Sequence, residues 1–160
     1  MNTLRLAHCS LALALSLFVA AQPALACGDF YGGARGPSLT QRRTNAAMAV
    51  VSSYVQAISQ RNASHAASAW HASARAHFEY NGCCQPPTWS GAEWVSQRLA
   101  DRRYRIVSVT PVSATDDGVT IEATSEGAQG RWSETITVRF ADDAWRIASL
   151  FARNSATRAK

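Results

Sequence analysis

Between Tyr104 and Arg153 the chain repeats one pattern, a run of alternating apolar and polar residues followed by a short turn-forming break. The runs are Tyr104 to Val112, Val119 to Thr124, Arg131 to Phe140 and Ala144 to Arg153; the breaks are Asp116-Asp117-Gly118, Glu126-Gly127 and Ala141-Asp142-Asp143. A period of two sends alternate side chains to opposite faces of a strand, and breaks this short leave room only for antiparallel hairpins. A four-strand meander with one apolar face requires a second layer to cover that face.

The cover is written upstream. From Thr40 to Gln60 the apolar residues Ala47, Val50, Val51, Tyr54, Val55 and Ile58 recur at steps of three and four, the signature of one helix face, with Thr40 as a candidate cap. Asn62 can cap a second, alanine-rich helix whose apolar positions are Ala66, Ala69 and Trp70, with His65 and His71 on other faces. Ala74 to Tyr80 then alternates, placing Ala76, Phe78 and Tyr80 on one side and Arg75, His77 and Glu79 on the other, which predicts a first strand. Ser90 and Glu93 have the spacing of a capping box, so a third helix runs from there to about Ala100 with Trp94, Val95 and Leu99 on its apolar face. The expected class is α+β, with three N-terminal helices packed on a curved, mainly antiparallel sheet.

Residues 1–26 carry Arg5, an apolar run from Leu11 to Ala21 and the small-residue ending Ala24-Leu25-Ala26, which reads as a secretory signal peptide. The run is too short to cross a bilayer comfortably. Cleavage after Ala26 would expose Cys27, so the expected product is exported, periplasmic or secreted; the alternative is a lipoprotein anchored through Cys27, the one route to a membrane. Residues 27–39 form a flexible lead-in, 40–153 one domain, and 154–160 a polar tail.

The whole chain has 16 basic and 11 acidic residues, net +5, and loss of Arg5 leaves net +4. Arg98, Arg102, Arg103 and Arg105 are the one dense basic group, and without aromatic stacking partners in a stripe they read as a solvated helix end rather than a nucleic-acid surface. His65, His71 and His77 lie six residues apart, a spacing that does not converge on a metal. No glycine-rich phosphate loop or Gly-x-Ser-x-Gly elbow occurs, so no cofactor is implied.

Tyr54-Val55-Gln56-Ala57-Ile58, then Trp70-His71-Ala72-Ser73-Ala74, and the closing Val138-Arg139-Phe140 and Trp145-Arg146-Ile147 resemble the cone-shaped superfamily of nuclear transport factor 2, ketosteroid isomerase and SnoaL-like cyclases over about 40–153. The resemblance implies an NTF2-like cone. Carried over residue by residue, Tyr54 matches the isomerases' tyrosine, whereas their base position falls on Phe78 and their oxyanion acid on Ile136, neither of which moves protons. Glu134 shares a face with Trp132, Ile136, Val138 and Phe140, so it either points into the cone as a base or reaches solvent or an arginine at a strand end. Tyr54, Ile58, Trp70, Phe78, Tyr80, Trp94, Trp132, Ile136 and Val138 are the candidate lining of an apolar cavity, and the same residues also describe an ordinary packed core.

Cys83 and Cys84 are adjacent in Asn81-Gly82-Cys83-Cys84-Gln85-Pro86-Pro87-Thr88-Trp89, a loop before the third helix. An oxidising compartment favours a disulfide, and neighbouring Cα atoms about 3.8 Å apart make a Cys83–Cys84 ring strained. Cys27 paired with either one is the unstrained option, open only if Cys27 is not lipidated. The function expected from these readings is a non-catalytic exported domain binding a small apolar ligand or a partner protein, with a homodimer possible. The alternatives are a SnoaL- or isomerase-like enzyme using Tyr54 and Glu134, and a lipid-anchored interaction or immunity protein.

Overall fold

A computed structural model describes residues 36–79 and 88–154, all within one compact unit, Arg35–Lys160. Tyr80, Cys27, Cys83 and Cys84, together with the expected signal peptide and polar tail, lie outside the described residues apart from Asn154.

Helix α1 spans Leu39–Ser59 and buries Ala47, Val51, Tyr54 and Ile58, the stripe expected from the sequence. Its cap is Ser38, whose hydroxyl accepts from the Gln41 amide at 3.1 Å; Thr40 lies within the first turn instead. The helix ends where Arg61 takes a left-handed conformation, φ 54°, so that the Arg61 and Asn62 amides donate back to Ile58 and Ala57. That pair of bonds is a Schellman motif, built here on arginine rather than glycine. Asn62 then turns its side chain to the His65 amide and starts α2, Ala63–Ser68.

The second helix is shorter than the sequence suggested. Trp70 and His71 open strand β1, Trp70–Glu79, four residues ahead of the expected start at Ala74. The physical reason is pairing: Trp70 lies opposite Ile147 across the sheet, and the Ile147 amide donates to the Ala69 carbonyl at 2.9 Å, so tertiary hydrogen bonds override alanine's helical preference. A short strand absent from the sequence reading, β2 at Thr88–Ser90, pairs with β1 and leads into α3, Gly91–Ala100. Both halves of the Ser90–Glu93 capping box form.

Strands β3 (Arg105–Ala114), β4 (Val119–Gly127), β5 (Gly130–Ala141) and β6 (Ala144–Asn154) make the expected antiparallel meander. The last hairpin turns on Asp142 and Asp143, both at positive φ near 50° and 58°, the conformation that matches strand twist in a two-residue loop. The sheet order is β2-β1-β6-β5-β4-β3, antiparallel except for the β1–β6 pair, which is parallel. The helices cover one face of this mixed sheet. Between them lies a core that includes Trp94, Trp132, Tyr54, Ile121, Ile136, Ile147 and Leu150, each at under 2% exposure.

Gly91 shows how tightly α3 is docked. A Cβ at this position would lie 2.6 Å from the Trp70 ring. Gly91→Ala is therefore expected to cost about 1–3 kcal/mol, read as a lower urea midpoint at unchanged slope, because the large indole must shift to admit one methyl. A variant as stable as the parent would show that α3 and β1 are not in this contact.

Candidate functional site

The inward face of the sheet is not wholly apolar. Along β5 the alternation Trp132, Glu134, Ile136, Val138 points to the core, and Glu134 has no exposed surface. The alternative in which it reaches solvent at a strand end is excluded by this placement. Opposite it on β4, the inward series Val119, Ile121, Ala123 ends in Ser125, also fully buried. Ser125 Oγ donates to Glu134 Oε1 at 2.5 Å, and Tyr104 Oη donates to the same oxygen at 2.7 Å. Above them the Trp94 indole N–H donates to Tyr54 Oη at 3.2 Å. Glu134 Oε2 is buried with no partner.

Burial governs the protonation of this cluster. Desolvation raises the Glu134 pKa above its ordinary 4.5, against the opposing pull of the Ser125 hydrogen bond, the Arg98 charge and the Tyr104 hydrogen bond. The Tyr54 and Tyr104 phenols are pushed up as well, first by burial and then by the nearby Glu134 charge, so both stay protonated at neutral pH.

The cluster's remaining member comes from α3. Arg98 stands four residues after the buried Trp94, hence on the same helix face, and it turns inward. Its guanidinium carbon lies 3.9 Å from the Trp94 ring centroid, 4.8 Å from that of Trp132, 5.1 Å from that of Tyr104 and 6.0 Å from that of Phe78. This corrects the expectation of a solvated basic helix end: Arg102, Arg103 and Arg105 are exposed, but Arg98 is half-buried in an aromatic enclosure. Cation–π attraction explains why a charge is tolerated there. The signal was available in the i, i+4 spacing of Trp94 and Arg98, masked by the three arginines that follow.

Outside the enclosure a cleft of about 470 Å³ opens between β1, β2 and the end of α3, lined by Phe78, Trp89, Gln97, Arg98, Arg102 and Gln129 among others. Phe78 and Trp89 stack at 5.6 Å and 15° beside it. Of the candidate lining residues, Phe78 reaches this cleft, Trp94 and Trp132 form the enclosure around Arg98, and Tyr54 backs it. Ile58, Trp70, Ile136 and Val138 are packed in the core instead, each at 7% exposure or less, because the cone's depth is filled by side chains. A larger cleft of about 580 Å³ lies against the start of α1, where Arg43 is already paired with Asp116. The three histidines are dispersed: His65 bonds Ser53, His71 bonds Ser73 and Asp142, and His77 meets Thr88. Among the described residues no group of three metal-ligating side chains occurs.

No protein-family model matches the chain, and no curated protein matches it. Solved structures do. An NTF2-like protein of unknown function from Silicibacter pomeroyi superposes with a TM-score of 0.56 at 21% identity, covering 72% of this chain and 98% of its own. An NTF2-like protein with a cystatin-like fold from Novosphingobium aromaticivorans gives 0.55 at 12% identity, over 74% and 85% of the two chains. A domain of unknown function with a cystatin-like fold from Nostoc punctiforme gives 0.57 at 13%, over 74% and 81%. At these identities the likeness is one of fold: the chain has the NTF2-like, cystatin-like fold that the sequence resemblance implied.

The raised Glu134 pKa has a measurable consequence. A carboxyl that holds its proton more tightly when folded contributes most at low pH, and that contribution falls as pH rises from about 4.5 through the folded value. Glu134→Gln cannot ionise, so its stability relative to the parent is expected to improve as pH rises across this window, read from urea midpoints at several pH values. A difference that stays flat with pH would contradict a raised Glu134.

Proposed function

We propose that this is an exported, non-catalytic NTF2-like domain that binds a small apolar or aromatic ligand at the mouth of the cone, in the cell envelope. The observation that carries the reading is a separation: the acid and phenol groups are sealed, Glu134 at 0% exposure, whereas the stacked Phe78–Trp89 pair borders an open cleft of small-molecule size. A general base must come within hydrogen-bond reach of the proton it removes, and Glu134 and Tyr54 are both fully buried. The exposed Val107, Val112 and Phe151 offer a partner or second copy an apolar contact.

One observation favours a second reading, an enzyme using Glu134 with Tyr54. Glu134 keeps an unpartnered oxygen and a raised pKa, the combination expected of a buried base. It requires Arg98 to move aside on binding.

Native mass spectrometry of the mature protein separates these readings. The binding reading expects a co-purified small molecule that is released intact on denaturation and survives incubation unchanged. Turnover of the released compound by the parent but not by Glu134→Gln would overturn it in favour of the enzyme. A diacylglycerol mass on Cys27 in the same spectrum would replace the soluble exported form with the anchored one.

A further inference from the structure

Among the described arginines, those with no hydrogen-bond acceptor or ion-pair partner are exposed, save one. Arg43, Arg61, Arg105, Arg131, Arg146 and Arg153 each donate to a carboxylate or a carbonyl. Arg98, more buried than Arg105, Arg131 or Arg153, has none: its Nε and Nη2 are shielded from solvent without an acceptor, and no ion pair includes it. Ring faces offset part of the cost of removing a guanidinium from water, but they do not replace the oxygens its planar fork is built to meet. The nearby Glu134 does not fill that role, since its hydrogen bonds come from Tyr104 and Ser125 and its other oxygen is also orphaned.

Three buried polar atoms without partners, two on Arg98 and one on Glu134, thus share one aromatic enclosure, and Arg98 also lines the open cleft. Unpaired buried polar groups are rare enough that a cluster of them beside a cleft marks a missing partner. The charge of that partner follows from the rim. Arg98 and Arg102 line the cleft together with Asp101, a net of one positive charge that a single negative charge balances and a polyanion exceeds. The Phe78–Trp89 stack provides a flat apolar wall for the rest of the molecule.

We propose that the cleft takes a small organic monocarboxylate: its two oxygens accept from the Arg98 guanidinium and its apolar body lies against Phe78 and Trp89. This rests on the reading of the cleft as a ligand site and names the ligand's class. Binding turns the edge of the guanidinium towards the cleft, exchanging ring contact for two charge-assisted hydrogen bonds. Arg102, exposed at the rim, steers the anion without fixing it.

Isothermal titration of the full mature protein with benzoate, phenylacetate and octanoate, each against its neutral amide, tests the proposal. At least one acid is expected to bind tighter than its amide by about tenfold or more, the difference a charge-assisted pair makes over a neutral one. Arg98→Gln is expected to abolish that preference and Arg98→Lys, which keeps the charge but loses the fork, to reduce it; Arg102→Gln is expected to reduce it less than Arg98→Gln does. Because the acid and amide comparison is made on the unaltered protein, a poorly folded Arg98 variant does not remove the test. Amides binding as tightly as acids would overturn the carboxylate inference and leave the ligand site standing. No binding by any of the six compounds would overturn both.

Discussion

The interior of this cone is organised around a charge that does not reach water freely. Arg98 enters from α3 and lies over Trp94, Trp132 and Tyr104, and Tyr104 in turn holds Glu134. A guanidinium in that position demands aromatic faces around it and a carboxyl within electrostatic reach, and each demand fixes an element. The rings come from α3, β5 and the residue just before β3; the carboxyl comes from β5. Move any of these and a half-buried charge loses its surroundings, which costs more than the loss of an apolar contact.

The connections that hold α3 in place follow the same logic. Arg61, in the left-handed position that ends α1, sends its guanidinium to the Leu99 carbonyl near the end of α3, a cation at the negative pole of a helix. Asp101, the residue closing α3, accepts from the Ala128 amide at 2.7 Å and so pins the helix to the β4–β5 turn. Gly91 at the other end allows the Trp70 ring to pack against the helix start. With both ends tied, the face carrying Trp94 and Arg98 can only point inward.

The fold was legible in the sequence because its signals are local. Period-two runs gave the meander, the stripe through Ala47 and Ile58 gave α1, and Ser90 with Glu93 gave the start of α3. What failed was decided by distant partners: Trp70 opens a strand because Ile147 of β6 pairs with it, and the parallel β1–β6 contact leaves no trace in either segment alone. The site was half legible. Glu134 and Tyr54 were found from alternation and resemblance, but Ser125 was lost because β4 runs to Gly127 rather than stopping at Thr124. Arg98 was lost because a charge among charges reads as surface, and only its spacing from Trp94 says otherwise. Cys27, Cys83 and Cys84 lie outside the described residues, so the disulfide and lipid-anchor readings stand as the sequence left them.

A double-mutant cycle between Arg98 and Glu134, using Arg98→Met, Glu134→Gln and the pair in urea unfolding, measures the claim on which the interior depends. The two side chains share the Tyr104 and Trp132 surroundings, so the pair is expected to depart from the sum of the single changes by about 0.5–3 kcal/mol. Additivity within about 0.3–0.5 kcal/mol would mean that Arg98 does not feel Glu134, and that the interior is held by apolar packing alone.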